Sequence, residues 1–126
     1  MRGVSLVTEV SRKYIYILDG AQYAQAFYES FNKKLQERGN ILETRMTKLS
    51  IGLFRKKERP VMEVTSSIMS ATVTAMTVGP DLYVGYVVFA QKDKPNPLEQ
   101  QDFEALSEYL TSAIKLTLEG LGAHFE

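Results

Sequence analysis

The apolar residues near the C-terminal end repeat with the period of an α-helix, and this pattern constrains the fold more than any other feature of the chain. The residues on this periodic face are Phe103, Leu106, Leu110, Ala113, Ile114, Thr117 and Leu121. Asn96, Pro97 and Glu99 supply an N-cap, a proline at the first helical position and a capping-box glutamate. Gly120 and Gly122 indicate where the helix ends. A long helix with one apolar face needs a second layer to pack against.

A second helical pattern lies in the first third of the chain. Its apolar residues are Ala24, Phe27, Tyr28, Phe31 and Leu35, spaced to share one helix face. Asp19, with Gln22 three residues later, has the pattern of an N-cap and capping box. Gly39 is typical of a C-terminal stop, since glycine tolerates the left-handed conformation. We therefore predict two long helices.

The segments outside these helices favour β-strands because they are rich in β-branched and aromatic residues. The predicted strands are Val4–Val10, Tyr14–Leu18, Ile41–Phe54, Val61–Val78 and Leu82–Ala90. In the ambiguous fourth segment, Pro60 could begin a short helix. We favour a strand throughout it, with a bulge or break near Ser66-Ser67. Gly79-Pro80-Asp81 predicts a tight turn before the last strand.

The predicted order is β-β-α-β-β-β-α, which places the chain in the α+β class. Two long helices can cover only one side of such a sheet. We expect one antiparallel sheet of about five strands with both helices packed on it, forming a single domain over residues 1–126. The uncovered sheet face and the edge strands are then available to a partner.

The composition lacks the residues and motifs that most catalytic sites require. There is no cysteine, and the one histidine, His124, lies two residues from the end. Neither GxGxxG nor GxxxxGK occurs among the eight glycines. Glu99, Asp102 and Glu104 could ligate a metal, but acidic residues in a first helical turn also favour the helix dipole. We expect no enzyme activity, no metal and no cofactor.

Charge and hydropathy bear on location and partners. Residues 1–60 hold 12 Lys/Arg and 6 Asp/Glu, whereas residues 61–126 hold 3 and 9, so the net charge of zero is unevenly distributed. Such asymmetry can favour head-to-tail association or an acidic partner, unless the fold mixes the two halves. The most apolar stretch is too short to span a bilayer. We expect a cytoplasmic protein without a membrane span.

Tyr83, Tyr86 and Met76 are the candidates for an interface or a ligand site. Tyr83 and Tyr86 fall on opposite faces of one predicted strand, so at least one of them is expected outside the core. Tyrosine on a sheet face is typical of interfaces and small-molecule pockets, and also of ordinary cores. Met76 is also interpreted as a residue that fills gaps in the core.

The basic turn at residues 55–59 is the most distinctive charged segment. The candidate phosphate contacts are Arg45, Lys48, Arg55, Lys56, Lys57 and Arg59. Together they could bind the phosphates of nucleic acid or lipid headgroups. Phe54 is the only aromatic residue beside them, whereas single-strand binders use several. The alternative is a charged hairpin tip that keeps a sheet edge unpaired.

The segment from Thr72 to Leu118 resembles the C-terminal half of a GAF domain. The matching features are the strand Val84-Gly85-Tyr86-Val87-Val88-Phe89, a polar loop, and a closing helix with Glu99, Asp102 and Leu106. GAF domains bind small molecules or dimerise in regulators, so the resemblance implies a sensory or dimerisation role. The overall element order is also similar to longin and profilin-type scaffolds, which are interaction domains.

Three hypotheses follow for function. The first is a non-enzymatic interaction or assembly module, a homodimer that uses a sheet face or edge. The second is a GAF-like sensor with a small ligand between the sheet and residues 66–76. The third is binding to the phosphate backbone of nucleic acid through the basic turn.

Overall fold

The computed structural model describes residues 8–39, 41–51, 57–66, 69–90 and 96–123. The strands are β1 (Thr8–Ile17), β2 (Glu43–Ile51), β3 (Lys57–Thr65), β4 (Met69–Val78) and β5 (Asp81–Ala90), and the helices are α1 (Ala24–Glu37) and α2 (Pro97–Leu121). The strands form one antiparallel sheet in the order β1-β5-β4-β3-β2. The predicted α+β class, with five strands and two helices, is confirmed.

The element order is close to the predicted one, with two differences in the strands. The two predicted N-terminal strands are one strand, β1, whose register shifts between Glu9 and Ser11 because Val10 is an extra residue. The segment Val61–Val78 is divided between β3 and β4, separated near the predicted break at Ser66-Ser67. No helix begins at Pro60, which lies inside β3. Residues 4–7 lie outside the described residues.

The core lies between the sheet and the two helices. α2 packs over β1 and β5, α1 packs over β4, and the helices contact each other. The largest fully buried side chains of this core are Ile17, Phe27, Phe31, Leu35, Val64, Val73, Leu82, Val84, Leu110, Ile114 and Leu118. Burial of each of the larger ones contributes about 1.5–3 kcal/mol to folding. This layer accounts for the apolar periodicity of both helices.

The helix ends follow the sequence signals for α2 and for the C-terminal end of α1, where Gly39 has a left-handed backbone with φ of 111°, but not for the start of α1. The Asn96 Oδ1 atom accepts from the Glu99 N–H at 2.9 Å, and Glu99 Oε1 accepts from the Asn96 N–H at 3.0 Å, which completes the capping box. The predicted capping by Asp19 is wrong. Asp19 has a left-handed backbone with φ of 57°, and a short 3₁₀ turn, Ala21–Tyr23, separates it from α1. Its N–H donates to Asp81 instead, because both residues meet where β1 and β5 end.

Pro60 limits the pairing of β3 with β4. The two strands are paired only from Met62 to Thr65, and the same register would bring Val61 opposite Thr74 and then Pro60 opposite Ala75. Because proline has no N–H, this pair cannot form both ladder hydrogen bonds. The Tyr28 hydroxyl of α1 occupies the gap instead. It accepts from the Ala75 N–H at 2.9 Å and donates to the Pro60 carbonyl at 3.0 Å. The strands separate beyond this bridge.

Gly85 allows β1 and β5 to pack closely around an aromatic ring. It lies opposite Tyr14 in the ladder, and the Tyr14 ring covers it. A Cβ atom at position 85 would lie 2.2 Å from the Lys13 carbonyl oxygen and 2.4 Å from Tyr14 Cδ1. The absence of a side chain is therefore a requirement of this pairing.

We expect Gly85→Ala to lower the free energy of unfolding by about 1–3 kcal/mol, because the new methyl group must displace backbone and ring atoms. Urea denaturation monitored by circular dichroism measures this change. Gly120→Ala is the matched control. Its Cβ would meet no atom within 4 Å, and alanine favours the helix by about 0.5–1 kcal/mol, so this variant is expected to be slightly more stable. Equal stability of Gly85→Ala and the wild type would contradict the packing described.

We expect Tyr28→Phe to cost about 1–3 kcal/mol, because the Ala75 N–H and the Pro60 carbonyl both lose their bridging partner. Chemical denaturation of the variant measures the loss. Tyr109→Phe serves as the control, since the Tyr109 hydroxyl only reaches the Arg38 carbonyl at 3.3 Å on the surface. A Tyr28→Phe variant no less stable than Tyr109→Phe would show that the bridge does not stabilise the strand junction.

Candidate functional site

The sheet face opposite the helices is the candidate functional surface, called the open face below. Side chains alternate along each strand, so the residues next to the core residues of β4 and β5 point to this face. On these two central strands they are Ser70, Thr72, Thr74, Met76, Tyr83, Val87 and Phe89, all half-buried. None of these seven is charged, and Asp81, at the start of β5, is the one charged residue of these two strands that shares the face. The centre of the open face is therefore neutral, with aromatic, aliphatic and hydroxyl groups.

An aromatic cluster lies at one end of the open face, and we call Tyr14, Tyr16, Met76 and Tyr83 the tyrosine patch. The rings of Tyr14 and Tyr83 are stacked, with centroids 4.7 Å apart and planes 6° apart. Tyr16 of β1 lies opposite Tyr83 of β5 in the ladder, and their ring centroids are 6.3 Å apart. Met76 of β4 is the ladder partner of Tyr83 on the opposite side of β5. Tyr16 is 49% exposed. The patch thus presents aromatic surface outside the core.

Two further apolar side chains extend the aromatic cluster at the end of the sheet. Leu18 follows β1 and is 75% exposed, and Val78 at the end of β4 is 42% exposed. Val78 shares the strand face of Met76. On β3, Val61 also belongs to the open face by register, and it is buried. The apolar surface is therefore greatest near the β4–β5 turn.

Asp81, the first residue of β5, links the tyrosine patch by hydrogen bonds to the chain that follows β1. Its carboxylate accepts from the Tyr16 hydroxyl at 2.7 Å and from the Asp19 N–H at 2.8 Å. Hydrogen bonds to the charged carboxylate, first from Asp19 and then from Tyr16, lower the pKa of Asp81. The same bond to Asp81 raises the pKa of Tyr16. The Tyr16 ring is therefore fixed in place although half of it is exposed.

Two ion pairs lie on the strands that flank the centre of the open face. On β1, Arg12 forms a two-bonded ion pair with Glu9, with distances of 2.6 and 2.7 Å. The pairing raises the pKa of Arg12 and lowers the pKa of Glu9, in each case mainly through the side-chain hydrogen bond. Across the sheet, Arg45 donates to Glu63 at 2.7 Å. The rim is therefore charged, and these two pairs add no net charge to it.

The structure brings two of the three predicted interface candidates together. Met76 and Tyr83 are ladder partners on the open face. Tyr86 lies on the other face and is buried under α2, where its hydroxyl donates to the Ser107 carbonyl at 2.9 Å and shares a 2.7 Å hydrogen bond with Thr111 Oγ1. Tyr86 is a core residue and offers no surface to a partner.

Sequence reasoning missed Tyr14 and Tyr16 as members of the patch. Their spacing of two residues in the run Tyr-Ile-Tyr-Ile places both on one strand face, with Ile15 and Ile17 on the other. This alternation is the sequence signal that could have identified both tyrosines as neighbours on one sheet face. The position of Tyr83 beside them depends on the pairing of β1 with β5, which joins distant parts of the chain.

The basic candidates do not form one surface within the described residues. Arg45 is on the open face with Glu63, whereas the register places Lys48, opposite Pro60, on the other side of the sheet. By register Arg59 shares the face of Arg45, but it lies further along β3, near Tyr28, where β3 and β4 separate. Lys57 begins β3. The predicted phosphate contacts Arg55 and Lys56 lie outside the described residues, as do Phe54 and His124.

The acidic residues of α2 fit the interpretation as helix-terminus groups. Glu99 completes the capping box, and Asp102 and Glu104 are exposed on the following turn. In the described part of the chain, no three His, Cys, Asp or Glu side chains are grouped to hold a metal ion.

Comparison of the chain with protein-family models and with curated proteins found no match. Neither helix of the described residues is long and apolar enough to cross a membrane.

We expect the contacts of Asp81 to make stability depend on pH in the acidic range. Because the folded-state pKa is lowered, the stabilisation is present above the ordinary pKa of aspartate and is lost as the pH falls through the folded value. Asp81→Asn should therefore melt at a lower temperature than the wild type at pH 7, and the difference should shrink towards pH 2.5. Glu108→Gln, on the exposed surface of α2, is the control. A pH-independent difference for Asp81→Asn would contradict this role of the carboxylate.

Proposed function

We propose that this protein is a non-enzymatic assembly module that forms a homodimer through the open face of its sheet. The observation that carries this proposal is the uncharged, aromatic centre of the one sheet face that the helices leave uncovered. A face of this kind exposes apolar surface to water unless another molecule covers it. The occupant we propose is a second copy of the same chain.

The arrangement of residue types on the open face matches that of protein interfaces. Interface centres are depleted of charge and enriched in Tyr, Phe and Met, and their rims are polar. Here Tyr83, Met76 and Phe89 lie on the central strands, while the ion pairs of Arg12 and Arg45 lie on the flanking strands. The fixed rings of the tyrosine patch would lose little conformational entropy on binding, which favours affinity.

The open face is large enough for a stable dimer. Five strands spaced by about 4.8 Å and ten residues rising about 3.3 Å each give a face of roughly 800 Å². A standard protein interface buries about 800 Å² on each partner. The sheet face alone therefore provides the area that a specific dimer requires.

Charge favours a second copy over nucleic acid as the occupant. In a twofold symmetric interface the same surface meets itself, so a face of one charge sign would repel its copy. The open face has a neutral centre, and Arg12 and Arg45 on its rim are each already paired with a glutamate. A nucleic-acid face would instead combine its aromatic rings with unpaired basic side chains. The stacked Tyr14 and Tyr83 lack such neighbours among the described residues.

The experiment is a comparison of oligomeric state by native mass spectrometry and sedimentation equilibrium. The wild type should have twice the chain mass of 14.2 kDa. Tyr83→Arg and Thr72→Arg each place a charge in the neutral centre on both copies. Each should weaken the dimerisation constant at least about tenfold, because like charges would meet across the twofold axis.

The control is Ala105→Arg, which adds the same charge to the exposed side of α2. It should dimerise like the wild type. Thermal melting monitored by circular dichroism confirms that each variant is folded. A monomeric wild type at about 100 μM, well above ordinary dimer dissociation constants, would refute the proposal. Intact dimers in both charged variants would place the contact on the edge strand β1 or β2 instead.

A further inference from the structure

The separation of β3 from β4 creates a cleft that borders the open face at Met76. It has a volume of about 520 Å³ and lies between the start of α1, the unpaired part of β3 and the unpaired part of β4. Small-molecule sites are typically about 300–1,000 Å³. The Tyr28 hydroxyl bridge forms the inner end of the cleft.

The walls of the cleft are largely apolar. Ala24, Pro60, Ala75 and Met76 line it, together with the ring of Tyr28. Tyr28 is half-buried, and this burial raises its pKa. A ligand with an apolar body would cover these apolar side chains and remove them from water.

One cation faces this apolar space. The half-buried Arg59 lines the cleft and is close enough to act electrostatically on the Tyr28 hydroxyl. Within the described ranges, the guanidinium of Arg59 forms no ion pair with an acidic side chain, in contrast to Arg12 and Arg45. A partly desolvated guanidinium without an anion is a ready partner for a carboxylate, which it can bind with two parallel hydrogen bonds.

The backbone of β4 adds a donor beside Arg59. The Ala75 N–H points away from β5, since it donates to Tyr28. Thr77 is two residues further along the same strand, so its N–H points to the same side, where β3 no longer pairs. The side chain of Gln25 lines the opposite wall. The cleft therefore offers neutral donors around one fixed positive charge.

We propose that this cleft binds a small monocarboxylate with an apolar body, its carboxylate held by Arg59 and the Thr77 N–H. A single guanidinium matches the single charge of a carboxylate. The apolar walls favour an alkyl or aryl body over the water-bound surface of inorganic phosphate. Met76 belongs to both the cleft and the tyrosine patch, but the two groups assigned to the carboxylate, Arg59 and the Thr77 N–H, take no part in the patch.

The experiment is a titration of ¹⁵N-labelled full-length protein with hexanoate, followed by amide chemical shifts. The amides of Gln25, Ala75 and Thr77 should shift together and saturate. Hexan-1-ol, which has the same alkyl length without the charge, should bind at least tenfold more weakly. Inorganic phosphate should leave these amides unchanged.

Variants test the role of the cation. Arg59→Gln should weaken hexanoate binding at least tenfold, whereas Arg45→Gln, on the open face, should bind hexanoate like the wild type. Arg59→Lys keeps the charge without the planar fork and should have intermediate affinity. Melting temperatures identify any variant that has lost its fold, and the other Arg59 variant then provides the test.

Four results would overturn the proposal. Shifts with phosphate but not hexanoate would assign the cleft to phosphate groups. Equal binding of hexan-1-ol would show that the walls bind apolar molecules without recognising a carboxylate. Wild-type affinity in a folded Arg59→Gln variant would remove the assigned cation. The absence of any saturable shift at these amides would show that no such site exists.

Discussion

The missing N–H of Pro60 determines much of the architecture of the described part of the chain. Without that donor the ladder between β3 and β4 cannot continue past Met62 and Val73, although both strands extend further. The free Ala75 N–H and Pro60 carbonyl need another partner, and the Tyr28 hydroxyl supplies it. The Tyr28 hydroxyl thus replaces a backbone hydrogen bond between the two strands. This replacement determines where α1 lies on the sheet, where the strands separate and where the cleft beside Arg59 forms.

The sheet uses its two faces for different purposes. One face joins the helices in the core, and its tyrosine, Tyr86, is satisfied internally by α2. The other face has tyrosines that stack on one another and are held by Asp81 at the strand ends. Aromatic rings that are ordered without being buried are well suited to association, because their surface is available and their conformational entropy is already reduced.

Gly85 shows how closely local and long-range requirements are linked in this sheet. Its place in a strand of large residues is unfavourable when the strand is considered alone, since glycine weakens strand interiors. The pairing of β1 with β5 explains it, because Tyr14 covers this position and leaves no room for a Cβ atom. The same contact places the Tyr14 ring against Tyr83, so the packing of the fold and the geometry of the tyrosine patch depend on one residue.

The sequence by itself determined the elements whose cause is local. The periodic face and capping box of α2 lie within a single segment, so they were predicted correctly, as was the turn at Gly79-Pro80. The α+β class followed from the alternation of these patterns along the chain. The opposite faces of Tyr83 and Tyr86 were also predictable, because side chains alternate strictly in a strand.

Only the tertiary structure decided which of those faces is the core and which residues meet on each. Tyr86 is buried because α2 packs over β5, and Tyr83 meets Tyr14 and Tyr16 because β1 pairs with β5 across more than 60 residues of sequence. Asp19 caps no helix because its backbone is left-handed and a 3₁₀ turn separates it from α1, and its N–H donates to Asp81, which is distant in sequence. Lys48 is separated from Arg45 for the same reason: strand register, not sequence proximity, sets the side of the sheet to which each residue points.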